Sequence, residues 1–133
     1  MSPETNYTLE SYQEVKQLEA PSLDYKPQLP KSYRPKIGLI GCGGITIHHL
    51  NAYKAAGLKV VGLCDLNKSK TQERRDSHYP NAICYQDYNE LLANPEIDVV
   101  DIPLHPAPRV AAIEAALNAG KHVLSQKPFA LDL

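Results

Sequence analysis

From Lys36 onward, short apolar runs alternate with turn residues and with longer stretches whose apolar positions recur every three or four residues. KIGLI (36–40) is apolar at nearly every position and stops at the glycine cluster GCGG. A run of that kind predicts a strand covered on both faces. Residues 45–56 then predict a helix, and Gly57 stands where a helix is commonly stopped by a left-handed residue. KVVGLC (59–64) predicts a second strand that ends at Asp65. The polar stretch KSKTQERRDSHY (68–79) predicts a helix, with Asn67 or Ser69 as its cap and Pro80 as its terminator. AICY (82–85), a short helix over 88–92, and IDVVDI (97–102) follow. Pro103 ends that fourth strand. A helix over 106–119 then places Val110, Ile113 and Leu117 on one face and stops at Gly120. HVLS (122–125) is the fifth strand.

Five strands alternating with four helices, several of the strands apolar on both faces, require helices above and below a mostly parallel sheet. Right-handed crossovers then give an α/β fold with a doubly wound parallel sheet in the order 3-2-1-4-5. Residues 1–35 break the pattern: they hold five of the eleven prolines, four of the eight tyrosines and none of the seven glycines. The spacing of Leu9, Tyr12, Val15 and Leu18 predicts one short helix over 8–20. Pro21, Pro27, Pro30 and Pro35 then impose an extended path. The chain therefore divides into an N-terminal extension (1–35) and one α/β domain (36–133).

Charge and composition narrow the function by exclusion. With 14 Lys+Arg against 15 Asp+Glu the chain is formally −1, which offers no electrostatic footprint for nucleic acid and no polybasic membrane patch. No apolar stretch approaches the roughly 20 residues that span a bilayer, and the first ten residues lack the basic start and apolar run of a signal peptide. Cys42, Cys64 and Cys84 are odd in number and widely spaced, so neither a secreted disulfide framework nor a structural zinc site is expected. His78 and His122 stand apart from any carboxylate or cysteine constellation, and no metal site is expected. The expected compartment is the cytoplasm.

The chemistry is concentrated at Gly41-Cys42-Gly43-Gly44-Ile45-Thr46, which follows a predicted strand and opens a predicted helix. Gly41 permits a tight turn, and Gly43 lets the backbone approach a pyrophosphate closely. The N–H groups of the next helix turn then face the phosphates. The third motif position, usually Gly or Ala, is Thr46, with Gly44 as an added flexible position. Asp65 falls at the end of the second strand, where a carboxylate can accept hydrogen bonds from an adenosine ribose. Its charge would repel a 2′-phosphate, so NAD is favoured; Lys68, Lys70, Arg74 and Arg75 lie just beyond and leave NADP open. Cys42 sits at a helix N-terminus, where a thiol pKa can be depressed, although a small space-filling role is the plainer reading. An S-adenosylmethionine site would expect an acid at the end of the first strand, where Ile40 stands.

Taken together, IGLIGCGGITIHHLNAY, VVGLCD and IDVVDIPLHPAPRVAAIEAALNAGKHVLSQKP resemble the N-terminal half of the glucose-fructose oxidoreductase/inositol dehydrogenase (Gfo/Idh/MocA) family. The resemblance covers about Lys36 to Leu133, and its most specific piece is AALNAGKHVLSQKPFALD, similar to the family's AGKHVLCEKP segment. It implies a Rossmann domain of an NAD(P)-dependent oxidoreductase acting on hydroxyl groups of sugars, inositols and related polyols. It also implies a C-terminal domain that supplies much of the substrate pocket. By the resemblance, Gly41, Cys42, Gly43, Gly44 and Ile45 form the phosphate turn and Asp65 is the ribose acid. Leu104 and His105 line the nicotinamide side, with Gln126 beside them, and Lys127 is the lysine that assists substrate binding and proton transfer. Pro128 is expected to follow a cis peptide bond that re-aims that lysine.

Two departures stand out. The family's EKP glutamate is Gln126, which removes a negative partner from beside Lys127. Its usual Thr-Pro-Pro then His pattern becomes Leu104-His105-Pro106, with Arg109 at the place of the histidine. His105 is read both as a contact to nicotinamide or substrate and as a structural loop histidine; of His48 and His49, one is expected to pack or cap. The expected function is hydride transfer between NAD(P) and a sugar- or polyol-like alcohol, with a non-catalytic NAD-binding or sensor module as the alternative. Because the chain ends soon after the lysine motif, it is expected to bind cofactor but to be catalytically incomplete, its substrate domain absent. The edge left by the fifth strand is expected to be covered by the extension or by a second copy, as a homodimer.

Overall fold

The computed structural model describes residues 18–23 and 28–131. Its elements are β1 (Lys36–Ile40), α1 (Thr46–Ala55), β2 (Lys59–Cys64), α2 (Lys68–His78), β3 (Ile83–Tyr85), α3 (Tyr88–Leu92), β4 (Val99–Ile102), α4 (Pro106–Asn118) and β5 (His122–Ser125). Most of the helix expected over 8–20 lies outside the described residues, as does Pro27. Residues 18–23 and 28–34 are exposed and carry no regular element; Arg34 Nη1 donates to the Pro30 carbonyl at 2.8 Å. They form no strand beside β5, which stays an edge of the sheet.

The five strands are all parallel, in the order β3-β2-β1-β4-β5. That order is the doubly wound one, with the reversal of winding at β1. Alternate residues of the central strands feed two separate cores. Ile37 and Leu39 of β1 and Val60 and Leu63 of β2 pack with Leu50 of α1 and Ala82. Ile40 and Cys64 face the other way, toward Leu91 and Leu92 of α3 and Ala112 and Ala116 of α4. Strands apolar at nearly every position are thus explained by cover on both faces. On the α3 face β1 carries Gly38, where an added Cβ would lie 2.8 Å from Leu91 Cδ2 and 2.9 Å from Ile97 Cδ1; the missing side chain lets α3 seat against the sheet.

Two helix starts are closed by their own side chains. Asn67 Oδ1 accepts from Ser69 N at 3.0 Å at the head of α2, and Asp87 Oδ1 accepts from Asn89 N at 2.8 Å at the head of α3. Such caps contribute about 1 kcal/mol each. Of the two candidate caps for α2, Asn67 is the one used.

One expectation needs correcting. The stripe Val110, Ile113 and Leu117 does not form the core face of α4: Val110 and Leu117 are each 58% exposed, and only Ile113 packs partly against the core. The buried stripe is Arg109, Ala112 and Ala116. Alanines let the helix axis approach the sheet closely, and the bulkier stripe, one residue on, is turned outward beside Phe129.

This arrangement separates two substitutions that sequence alone would equate. Leu39→Ala, at a fully buried site, should cost about 2–5 kcal/mol. Leu117→Ala should shift stability by no more than about 0.5 kcal/mol. Urea unfolding of the two variants checks both, and a comparable loss in each would return Leu117 to the core.

Candidate functional site

Because the sheet is parallel, the loops after β1, β2, β4 and β5 gather at one rim, and every candidate from the sequence lies there. Gly41 opens the first loop with φ +109°, a left-handed conformation that favours glycine. Its amide donates to the Cys64 carbonyl at 2.8 Å. Leu104, from the loop after β4, comes so close that a Cβ at Gly41 would lie 2.8 Å from its Cδ2. Thr46, the irregular third motif position, is fully buried, and its hydroxyl donates to the Gly41 carbonyl at 2.7 Å. The side chain that departs from the Gly/Ala pattern therefore locks the turn.

Asp65 holds the turn from the other side. Its Oδ2 accepts from Cys42 N and its Oδ1 from Asn67 N, both at 2.8 Å. Each carboxylate oxygen keeps a further lone pair for a ligand hydroxyl. The Cys42 amide is consequently engaged within the protein, and its side chain is buried, with Sγ 3.7 Å from the Cys64 carbonyl. Burial, and then the Asp65 charge, push the Cys42 thiol up to about 12. The depression that a helix N-terminus could cause is thus overridden, and Cys42 is a space-filling residue of the turn.

The next three amides are different. Gly43, Gly44 and Ile45 donate to no group among the described residues. Ile45 is the N-cap of α1 and supplies no side-chain cap, and the first turn carries no acid. Nothing lies within 4 Å of a Cβ built on Gly43 or Gly44. Unpartnered N–H groups at a helix N-terminus, beside two glycines with open space around them, suit an anion.

A hollow flanks this helix start on each side. One, of about 220 Å³, is mostly apolar and is bordered by Gly41, Asp65, Leu66, Gln86, Tyr88 and Leu104. The other, of about 290 Å³, is bordered by Ile45, Leu104, His105, Arg109, Gln126 and Lys127. Leu104 belongs to both. The geometry suits an elongated ligand with an anionic centre, an apolar ring at one end and a second ring near Lys127. Lys127 is exposed; its amide donates to Gln126 Oε1 at 2.8 Å, and its Nζ makes no hydrogen bond among the described residues. The Lys127–Pro128 peptide is cis. His105 is exposed at the N-cap of α4, and its carbonyl accepts from Arg109 N at 3.2 Å.

On α2, Arg74 and Arg75 are paired with Glu73 and Asp76, while Lys68 and Lys70 are exposed. No group of three or more His, Cys, Asp or Glu side chains suited to a metal occurs among the described residues, and none of their helices is long and apolar enough to cross a membrane.

Sequence reasoning gave no role to several residues of the rim. Arg109 is 1% exposed and has no carboxylate partner among the described residues. Its Nε donates to the Leu104 carbonyl at 2.9 Å, Nη2 donates to the same oxygen, and Nη1 donates to the carbonyls of Gln126 and Pro128. One guanidinium thus joins the loop after β4 to the loop after β5. Asp101, fully buried on β4, accepts from His49 Nδ1 and the Tyr53 hydroxyl, each at 2.7 Å. Burial first, and then the bond to Asp101, raise the Tyr53 pKa well above the ordinary phenol value. The available signal was an acid inside the apolar run IDVVDI, together with an arginine in the first turn of a largely apolar helix.

The family model described as "Oxidoreductase family, NAD-binding Rossmann fold" matches residues 35–133. The chain belongs to this Gfo/Idh/MocA family. An inositol 2-dehydrogenase/D-chiro-inositol 3-dehydrogenase of Lactiplantibacillus plantarum is 31% identical over 106 residues, which cover 78% of this chain and 30% of that protein. Among solved structures, myo-inositol dehydrogenase from Lactobacillus casei, in complex with NAD(H) and myo-inositol, superposes with a TM-score of 0.70 at 27% identity, over 74% of this chain and 30% of that one. A 3-ketoreductase from Actinomadura kijaniata, in complex with NADP and TDP-benzene, gives 0.69 at 28% identity, over 75% of this chain and 31% of that one. The chain spans about 30% of the length of the curated relatives it matches. The NAD-binding domain expected from the glycine turn is thus shown at the level of the family, and its parallel sheet has the expected order.

Two measurements test the site as built. Gly41→Ala combines an unfavourable φ with a clash against Leu104 and should lower stability by about 1–3 kcal/mol, read by urea unfolding; an unchanged midpoint would remove Gly41 as a constraint. The Cys42 and Cys64 thiols are both pushed up to about 12 from an ordinary 9.0 by burial. Both are neutral in the folded chain at pH values where an unfolded chain already ionises them. Their stabilising contribution is therefore full below about pH 9 and is lost as pH rises from there toward 12. Thermal midpoints across that range should fall, and the fall should shrink in a Cys42→Ala variant.

Proposed function

We propose that residues 36–131 bind NAD(H) across the β1–α1 turn and act as the cofactor half of a dehydrogenase for a sugar- or polyol-like alcohol. The observation that carries this reading is the start of α1, with no side-chain cap and with three amides unpartnered among the described residues, set between two hollows and beside Asp65. In this reading the amides of Gly43, Gly44 and Ile45 hold the pyrophosphate, Asp65 accepts from the adenosine ribose, and Leu66 and Tyr88 border the adenine. Leu104, His105 and Gln126 border the nicotinamide. The Asp65 carboxylate favours NAD over NADP by repelling a 2′-phosphate. The relatives' names support the substrate class, since inositol dehydrogenases recur among them.

The nicotinamide, when bound, supplies the hydride acceptor or donor. This chain's part is to orient it and to manage the proton. Lys127, on the carboxyl-end rim, hydrogen-bonds the substrate oxygen: its neutral amine takes the hydroxyl proton as the alcohol is oxidised, and its ammonium returns a proton to that oxygen as the carbonyl is reduced. Leu104 and Ile45 exclude water from one side of the second hollow. Of that hollow's polar side chains, Arg109 and Gln126 are engaged within the protein, which leaves His105 and Lys127 for a polyol and supports a reading in which further residues complete the substrate pocket.

Fluorescence titration should show NADH bound at least about tenfold more tightly than NADPH, a difference of about 1.4 kcal/mol. Asp65→Ser should shrink that ratio, even though it weakens both, because the lost turn contacts are common to the two cofactors. With a substrate-binding domain supplied in fusion, Lys127→Ala should lower turnover of polyols by about 10²-fold or more and leave NADH affinity near the wild-type value. NADH binding with no Lys127-dependent turnover on any polyol would instead mark a non-catalytic cofactor-binding module.

A further inference from the structure

His49 of α1 lies between Asp101 of β4 and Gln126 after β5, positions 52 and 77 residues away along the chain. Its side chain is 17% exposed. Two independent constraints act on its ring. At one end, Nδ1 lies 2.7 Å from Asp101 Oδ2, an oxygen that also accepts the Tyr53 hydroxyl. A carboxylate oxygen accepts, so Nδ1 carries the proton. At the other end, Gln126 Oε1 accepts the Lys127 amide at 2.8 Å, which sets the orientation of the Gln126 amide and turns its Nε2 toward His49 Nε2 at 3.2 Å. An amide nitrogen donates, so His49 Nε2 accepts and carries no proton. The two ends agree on one species, the neutral ring with its proton on Nδ1.

We propose that His49 is a positioning residue: through Gln126 it holds the Lys127 turn in place, and Gln126 selects the neutral Nδ1–H form of its ring. This rests on the reading of Lys127 given above. The hydrogen bonds run in one direction, from the Lys127 amide to Gln126, from Gln126 to His49, and from His49 to the buried Asp101. They tie α1 and β4 to the loop that carries Lys127, whose Nζ has no hydrogen-bond partner among the described residues. The departure from the family's glutamate acquires a physical meaning. A glutamate at 126 would present only acceptors to His49 Nε2, and the chain would stay connected only if the ring held a proton on both nitrogens. The glutamine keeps the relay complete without placing a charge on either His49 or residue 126.

The test uses the full chain labelled with ¹⁵N at histidine and backbone. In the wild type, the His49 ring should show a protonated Nδ1 and an unprotonated, hydrogen-bonded Nε2 at neutral pH. Gln126→Glu should convert Nε2 to the protonated signature. Gln126→Met should leave Nδ1–H in place but speed hydrogen exchange at the Lys127 amide by about tenfold. His49→Ala should do the same to that amide, with β1 and β2 amides unchanged; if that variant does not fold, Gln126→Met supplies the same readout. A wild-type proton on Nε2, or a Lys127 amide indifferent to Gln126→Met, would overturn the proposal. NADH titration of the same sample reports separately on the functional reading: a wild type that binds no NADH would refute that reading, while the His49 assignment stands or falls on its own signals.

Discussion

The Asp65 carboxylate holds the working end of this fold together. One oxygen takes the Cys42 amide and so fixes the glycine turn against the end of β2; the other takes the Asn67 amide and so starts α2. Hydrogen bonds from backbone N–H groups to an ionised acceptor are worth more than neutral ones, and these two set the spacing between neighbouring loops. With the Cys42 amide engaged, the amides of Gly43, Gly44 and Ile45 are the ones left without a partner among the described residues. The residue proposed to read a ribose thus also fixes the turn proposed to hold the phosphates, and the two proposed roles are coupled through one side chain.

The rest of the rim follows from similar joins across loops. Thr46 returns a hydroxyl to the Gly41 carbonyl, Leu104 closes over Gly41, and the buried Arg109 guanidinium joins the loop carrying Leu104 to the loop carrying Gln126 and Lys127. A buried cation without a carboxylate partner is expensive unless its N–H groups are satisfied. Here three carbonyls satisfy them, and leaving those carbonyls unpaired would be costly in turn. This mutual dependence makes the loop after β5 part of the scaffold, where its exposure alone would suggest mobility.

Much of this was legible in the residues. Apolar runs and their glycine and proline stops predict all five strands within two residues at their starts, and right-handed crossovers predict the order in which they pair. The glycine turn and Asp65 were legible because their chemistry is local to two strand ends. The core face of α4 was not. Two stripes one residue apart, Arg109-Ala112-Ala116 and Val110-Ile113-Leu117, both fit the helical period, and close approach of the helix to the sheet chose the smaller one. His49 and Gln126 were individually visible and Asp101 was not, and their connection crosses more than 50 residues and exists only once α1, β4 and β5 come together. Thr46 looked like a flaw in the motif because its hydroxyl bond to Gly41 is not a property of sequence spacing.

The proposed dinucleotide site centres on the amides at the start of α1 and spans both hollows. The most direct measurement is a ¹⁵N chemical-shift titration of the chain with NAD. The largest changes should fall on Gly43, Gly44 and Ile45 and extend to Asp65 on one side and Leu104 on the other, while the hollow at the opposite end of the sheet, around Tyr79 and Asn81, stays unmoved. Changes centred on Tyr79 and Asn81, or none at the glycine amides, would contradict the account.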